Sequence, residues 1–315
     1  MQFSALKYFI ETARLGSIRR AAEVLYVAPS AVSRQIALLE AKFGAPLFER
    51  HAGGVRLTPA GEVFASQARS TLRDFERLQS QIDDLQQLRR GLVRIACVEA
   101  IVPGLLYDTI REFRKSYPGI EYDLRVLGSL KALMAVAHEE CDIGLTFEPG
   151  VHADVTEDGA LPDPVVAVVP PGHPLGRRRS LTICELAQHR LALLDDAHVT
   201  HALVNRAFAA EGLKPHIDVR LSHVGVTTAY VREGLGLTVL PSLAVRADAR
   251  AGRVRTVAID DPLFRATRFV LCHPKAREPT LPARAFMAAL RLQFAQHAAG
   301  AVRPRVARGR RAALR

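Results

Sequence analysis

Ser30, Ser33 and Arg34 are spaced so that a helix would carry all three on one face. An arginine placed there can offer two N–H donors to the paired acceptors of a guanine edge, and a serine hydroxyl can serve a base or a phosphate. The alternative for Arg34 is a phosphate contact alone. Arg19 and Arg20 suit a sugar–phosphate backbone, while Arg50 and Arg56, on either side of Gly53-Gly54, suit a phosphate or a minor groove. For each of these cations the plain alternative is a solvated charge.

The elements around them fit that chemistry. Leu6, Phe9, Ile10 and Ala13 recur at helical spacing until Gly16 stops the run; Ser17 then caps a second helix from about 18 to 25 with Ala21, Ala22 and Leu25 on one face. After Tyr26-Val27-Ala28, Pro29 suits the first turn of a third helix, whose buried stripe is Val32, Ile36, Leu39 and Phe43. Two short helices so joined make a helix-turn-helix, and Gly53-Gly54 between two short extended pieces predicts a hairpin, or wing. From 60 to 90, Phe64, Ala68, Leu72, Phe75, Leu78, Ile82, Leu85 and Leu88 step by three or four, the seam of a coiled coil. A partner helix, hence a dimer, would cover that seam; packing against the chain's own C-terminal half is the alternative.

After Gly91 the pattern changes to short β-branched runs alternating with helical ones. Strands are expected at 92–98, 120–127, 142–147, 165–169, 191–194, 216–221 and 237–240, and helices at 103–116, 130–139, 199–211 and 224–233. Such alternation implies parallel sheets covered by helices. A strand at 269–272 returns to the first lobe and a helix at 281–296 closes the chain. Two lobes joined by crossing strands create a cleft, and open α/β sheets bind ligands at the carboxyl ends of their strands.

Composition narrows the function classes. With 315 residues, 49% of them hydrophobic, two or three domains can each bury a core. No run is apolar enough to span a bilayer and the N-terminus lacks the order of a secretory signal, so a cytoplasmic protein is expected, with no membrane partner. The net charge of +11 sits at the ends: residues 1–60 carry eight Lys/Arg against four Asp/Glu, residues 91–302 carry 24 against 23, and residues 303–315 add six arginines and no acid. A polyanion would therefore meet the ends of the chain and not its neutral middle. The tail, with little apolar content, is expected to be disordered. Cys97, Cys141, Cys184 and Cys272 lack CxxC spacing and read as reduced thiols; a redox sensor would need an exposed, low-pKa thiolate. GxSxG, P-loop, HExxH and GxGxxG motifs are absent from their required contexts and the eleven histidines do not cluster at metal spacing, so neither an enzyme nor a cofactor is expected. A basic architectural DNA protein is the other rival, for which a large neutral domain would be superfluous.

Three blocks in register carry a resemblance: residues 17–40, from Ser17-Ile-Arg-Arg-Ala-Ala-Glu to Leu-Leu-Glu40; Gly44-Ala-Pro-Leu-Phe-Glu-Arg; and Leu57-Thr-Pro-Ala-Gly. They resemble the DNA-binding half of LysR-type transcriptional regulators. Tyr117-Pro118-Gly119, Gly128-Ser129, Cys141-Asp142-Ile143-Gly144, His173-Pro174-Leu175 and Gly234-Leu235-Gly236-Leu237 with Pro241 follow in the order of that family's effector-binding domain. The resemblance implies an α+β multi-domain chain. Its parts would be a winged helix-turn-helix (1–60), a linker and dimerisation helix (61–90) and a two-lobed, periplasmic-binding-protein-like effector domain (91–302). Lobe I would take about 91–162 and 267–300, and lobe II about 163–266.

The same resemblance implies a bacterial regulator that binds double-stranded DNA and a small-molecule effector, as a dimer or tetramer, with RNA polymerase as a further partner. Effector contacts are expected from Val98, Glu99, Ala100, Gly128, Ser129, His223, Val224 and Gly225, with Thr146, Phe147, Asp195 and Asp196 on the floor and far wall. Free N–H groups at helix starts and the Ser129 hydroxyl would hold an acceptor-bearing ligand, and Glu99 a hydroxyl or amine on it. The alternatives are an N-capping Ser129, a Glu99 turned to solvent and a His223 satisfied by backbone. Two departures stand out. Ala28-Pro29 replaces the family's frequent hydroxyl cap and neighbouring Gln at the recognition helix, removing Pro29's position as a base-reading amide, and Glu99-Ala100 replaces small hydroxyl residues.

Overall fold

The structure, a computed structural model, describes residues 3–51, 53–84, 90–148 and 150–301, without the side chains of 3, 73, 76–84 and 299–301. The expected tail at 303–315 and the end of the seam at Leu85 and Leu88 lie outside the described residues. Two compact units divide at Gln87 and Leu88.

In the first unit α1 (Phe3–Leu15), α2 (Ile18–Val24) and α3 (Pro29–Phe43) precede a two-stranded wing, β1 (Phe48–His51) and β2 (Gly54–Leu57), and α4 (Pro59–Asp84). Phe9 is fully buried at the centre, its ring 4.8 Å from those of both Phe48 and Phe64. The fully buried Ala21 and Val32 and the nearly buried Ala22 let α2 and α3 cross closely. The wing is tied to the α1–α2 turn: Val55 N–H donates to Gly16 O at 2.9 Å, and a Cβ on Gly54 would stand 2.2 Å from that oxygen. Only glycine fits there.

Two expectations for this unit change. Phe43 is not part of the buried stripe; it is 51% exposed and meets Phe64 edge-on at 5.0 Å. The first seam positions, Phe64 and Ala68, face the unit's own core, with Ala68 3% exposed, so a seam for another helix begins further along α4. Leu78 and Ile82 belong to the part whose side chains are not described.

The second unit opens with β3 (Gly91–Cys97), α5 (Tyr107–Ser116), β4 (Ile120–Val126), α6 (Ser129–Ala137), β5 (Ile143–Phe147) and β6 (Val155–Pro162). Lobe II follows: β7 (Val165–Val169), β8 (Ser180–Leu181), α7 (Ile183–Leu186), β9 (Leu191–Leu194), α8 (Val199–Ala210), β10 (Ile217–Leu221), α9 (Val224–Arg232), β11 (Leu237–Pro241), α10 (Ser242–Arg250) and β12 (Arg255–Ile259). After α11 (Pro262–Arg265) the chain returns by β13 (Arg268–Pro274) and ends on α12 (Leu281–Ala301). The sheets run β4-β3-β5-β13-β6 and β10-β9-β11-β7-β12-β8.

They are mixed, not purely parallel as the alternation implied. β13 is antiparallel to β5 and β6, and β7 is antiparallel to β11 and β12. Between β6 and β7 stand only Asp163 and Pro164, too short a link for the crossover that parallel neighbours need, so β6 and β7 enter different sheets. This is the first crossing between lobes. At the second, Asp163 N–H donates to Thr267 O at 3.0 Å and Thr267 Oγ1 donates to Asp163 O at 2.7 Å. The Asp163 carboxylate accepts from Ser242 Oγ at 2.6 Å and Leu243 N–H at 3.0 Å, pinning α10 to the paired crossings. The helix expected from Pro103 starts only at Tyr107, because Pro103 is extended (ψ 124°) and Gly104 has φ 93°.

Candidate DNA-reading surface and effector cleft

α3 begins without a side-chain cap at Ala28, with Pro29 in its first turn. Val32, Ile36 and Leu39 face inward, leaving Pro29, Ser30 and Arg34 exposed and Ser33 half-buried on the other side. Among the described residues Arg34 and Arg50 make no ion pair, whereas Arg56 reaches Glu49 across the wing at 2.8 Å and Arg19 reaches Glu23 at 3.3 Å. Both of those pairs are solvent-exposed and cost little to exchange for another anion. Ser17 accepts from Arg20 N–H at 3.3 Å and so fixes the start of α2. Glu40 was not anticipated: its Oε1 accepts from Leu47 N–H at 2.8 Å and Phe48 N–H at 3.2 Å, setting the wing against the helix that carries Arg34.

In the second unit the carboxyl ends of strands from both lobes converge on a cavity of about 280 Å³. Lobe I supplies Val98, Glu99 and Ala100 after β3, Gly128 and Ser129 at the start of α6, and Phe147 at the end of β5. Lobe II supplies Asp195 after β9, and His223 and Val224 at the start of α9. Three expected residues fall outside it. Thr146 alternates to the opposite face of β5 from Phe147 and is fully buried, Asp196 is exposed beside the cavity, and Gly225 lines the neighbouring one.

Three of the expected polar groups in the cleft are engaged by the protein itself. Glu99, from lobe I, accepts from Val224 N–H at 3.0 Å and Gly225 N–H at 2.9 Å, with His223 Nδ1 at 3.5 Å. It therefore caps a helix in the other lobe. The first N–H groups of α9 are not free for a ligand, and Glu99 is not turned to solvent. Ser129, 4% exposed, donates to Phe147 O at 2.6 Å and accepts from Phe147 N–H at 3.2 Å, so its hydroxyl ties α6 to β5. The N-cap of α6 is Gly128, whose added Cβ would sit 2.7 Å from Ala197 O of the opposite lobe. The Asp195 carboxylate meets His198 Nδ1 at 2.8 Å and Ala197 N–H at 3.2 Å; the His198 hydrogen bond holds its pKa below the usual range.

The starts of α6 and α8 remain without a side-chain cap, so their first-turn N–H groups can receive an acceptor. Lys131, His198, Thr200 and Ser222 also border the cavity and were missed. His198 and Thr200 follow β9 directly, so the rule that ligands sit beyond strand ends could have found them. Cys97, Cys141 and Cys272 are buried thiols whose pKa burial pushes up to about 12, which makes them poor nucleophiles. Among the described residues no group of His, Cys, Asp and Glu could hold a metal ion, and no helix is long and apolar enough to cross a membrane.

Two family models match this chain: the bacterial regulatory helix-turn-helix protein, lysR family, over residues 3–62, and the LysR substrate binding domain over residues 86–295. The chain belongs to the LysR family. As a LysR-family protein it is a DNA-binding transcriptional regulator with an effector-binding domain, not an enzyme. It is 29% identical over 280 residues to the transcriptional dual regulator GltC of Bacillus subtilis, covering 88% of this chain and 92% of GltC. Its fold is similar to that of a full-length OxyR variant from Pseudomonas aeruginosa, with a TM-score of 0.70 at 24% identity over 93% of this chain and 94% of that one. Full-length CbnR complexed with its target DNA gives a TM-score of 0.64 at 20% identity, over 93% of this chain and all (100%) of that one.

Proposed function

We propose that this LysR-family regulator binds its effector in the cavity between the lobes. The effector would be a small, acceptor-bearing molecule held by the uncapped starts of α6 and α8 with Lys131 at the rim. The observation that carries this reading is the convergence of strand ends from both lobes on one cavity. Ligand binding there changes the contacts between lobes, because Glu99 spans them. The direct test is Ser222→Trp, which fills the cavity from an exposed position. Operator binding is expected to persist while the change in operator footprint caused by the effector is lost; a variant that responds as the wild type places the effector elsewhere.

Operator reading falls to Ser30, Ser33 and Arg34, with Pro29 shaping the helix start and Arg19, Arg20, Arg50 and Arg56 on phosphates. The protein works in the cytoplasm as a dimer through the 61–90 helix, assembling further to a tetramer, with RNA polymerase as a partner. Replacing Leu78 and Ile82 by Asp should halve the mass in solution and weaken operator binding; an unchanged mass removes this role from the helix.

A further inference from the structure

On the other side of the Glu99 cap lies a second cavity. Its inner wall is Glu99, Val224 and Gly225, and its outer wall is α10 with His297 of α12. Arg246 and Arg250, one turn apart on α10, both border it, and both also border an adjoining groove whose one other charged group is Arg255. Among the described residues none of these three arginines has a carboxylate within ion-pair distance.

The nearby acids are already used. Asp163 is committed to Ser242 and Leu243, Asp248 is shared by Arg232 at 3.5 Å and Arg253 at 2.7 Å, and Asp108 is paired with Arg111 at 2.5 Å. Glu99 is spent on the two N–H groups of α9. Like charges one helical turn apart repel, and half-burying one of them adds a desolvation cost. The consequences appear in both partners: burial and Arg250 lower the Arg246 pKa despite Asp163, while burial and both arginines lower that of His297 against the opposing Gln293 carbonyl and Asp108. An anion seated between the guanidiniums would offset the repulsion between them and their pull on His297.

We propose that Arg246 and Arg250, with His297 beside them, form a second site for a small, multiply charged oxyanion, separated from the effector cleft by the Glu99–α9 contact. Phosphate is the simplest such ligand, and paired guanidiniums offer it forked donors. Because Glu99 and Val224 line both cavities, an anion held on α10 bears on the contact that spans the lobes. That coupling rests on the cleft reading above; the site itself does not.

The test is calorimetric titration of the full-length protein with inorganic phosphate, against sodium chloride at equal ionic strength. Saturable phosphate binding is expected, weakened at least about tenfold by Arg246→Gln and by the more exposed Arg250→Gln. His297 supplies a second readout: its imidazole resonance, identified by its loss in His297→Gln, should titrate at higher pH with phosphate bound, because the anion offsets the two positive charges. Absence of saturable binding, binding as tight as wild type in both arginine variants, or a phosphate-insensitive His297 titration each overturns the site. Intact phosphate binding in Ser222→Trp with effector response lost separates the two cavities; intact response in that variant overturns the cleft reading and leaves the anion site standing.

Discussion

Among the described residues Arg34 and Arg50 in the DNA-binding unit make no ion pair, whereas Glu99, Ser129 and Asp195 in the cleft between the lobes are held by the protein's own donors and acceptors. A surface meant for a rigid polyanion can leave its cations in water, since phosphates arrive in fixed register and displace only solvent and counterions. A cleft that must report on a small molecule has another need. A ligand bound there must change the contacts between lobes. The Glu99 carboxylate, which accepts from the first N–H groups of α9, supplies such a contact, while Ser129 and Asp195 are held within their own lobes. Substitutions should accordingly separate: in the first unit they remove binding without stability, in the second they remove stability together with response.

The largest effect is expected at the lobe crossing. Asp163→Ala leaves the Ser242 hydroxyl and Leu243 N–H unpaired and should lower the unfolding free energy of the second unit by about 3 kcal/mol, read by urea titration. Unchanged stability would mean that the paired crossings, not the carboxylate, hold α10. Next comes Arg34→Ala, which should weaken operator binding by about 1–3 kcal/mol while nonspecific binding and melting temperature stay near wild type. Equal loss on operator and random DNA assigns Arg34 to phosphate.

Legibility in the sequence follows the same division. The first unit was readable because its signals are local: Ser17 caps, Pro29 starts, Gly16 stops and Gly53-Gly54 turns within a few residues of the element concerned. In the second unit the strands after which the chain enters the cleft were readable, but β6 was not, since Val-Thr-Glu-Asp-Gly-Ala-Leu-Pro carries neither alternation nor a β-branched run and lies at a sheet edge. α10, which has Pro241 and no side-chain cap at its start, and β12 were missed although Gly252 (φ 72°) stops the helix and Thr256, Val257 and Ile259 are β-branched. The partners of Glu99 lie 125 and 126 residues away, a pairing that no spacing in the sequence announces. Thr146 was placed in the cleft because the face of a strand residue depends on register, which one residue reverses, and Lys131 was omitted because its position on α6, two residues past Ser129, carried no spacing signal toward the cleft.

A smaller effect tests how closely the lobes meet. Gly128→Ala puts a methyl 2.7 Å from Ala197 O, so the lobes must separate, and stability should fall by about 1–2 kcal/mol with a measurable increase in solution scattering radius. No change in radius would show that the loop at Ala197 yields instead. The smallest expected effect is on pH. His173 and His297 both have folded pKa values below the ordinary 6.5, chiefly through burial, so the unfolded chain takes up protons first as the pH falls. Stability is therefore whole above pH 6.5 and declines as the pH drops through 6.5 toward the folded values. His297→Gln should flatten that decline in thermal melts, and an unaltered slope would assign it to other groups.

The contact that spans the lobes can be tested without knowing the effector, by amide hydrogen exchange at Val224 and Gly225. In the wild type both amides should be protected by the Glu99 carboxylate, although they are first-turn N–H groups with no partner in their own helix. In Glu99→Ala they should exchange at rates near those of the uncapped amides at the start of α8, with protection inside α9 retained. Equal protection in wild type and variant would contradict the claim that Glu99 of one lobe caps α9 of the other.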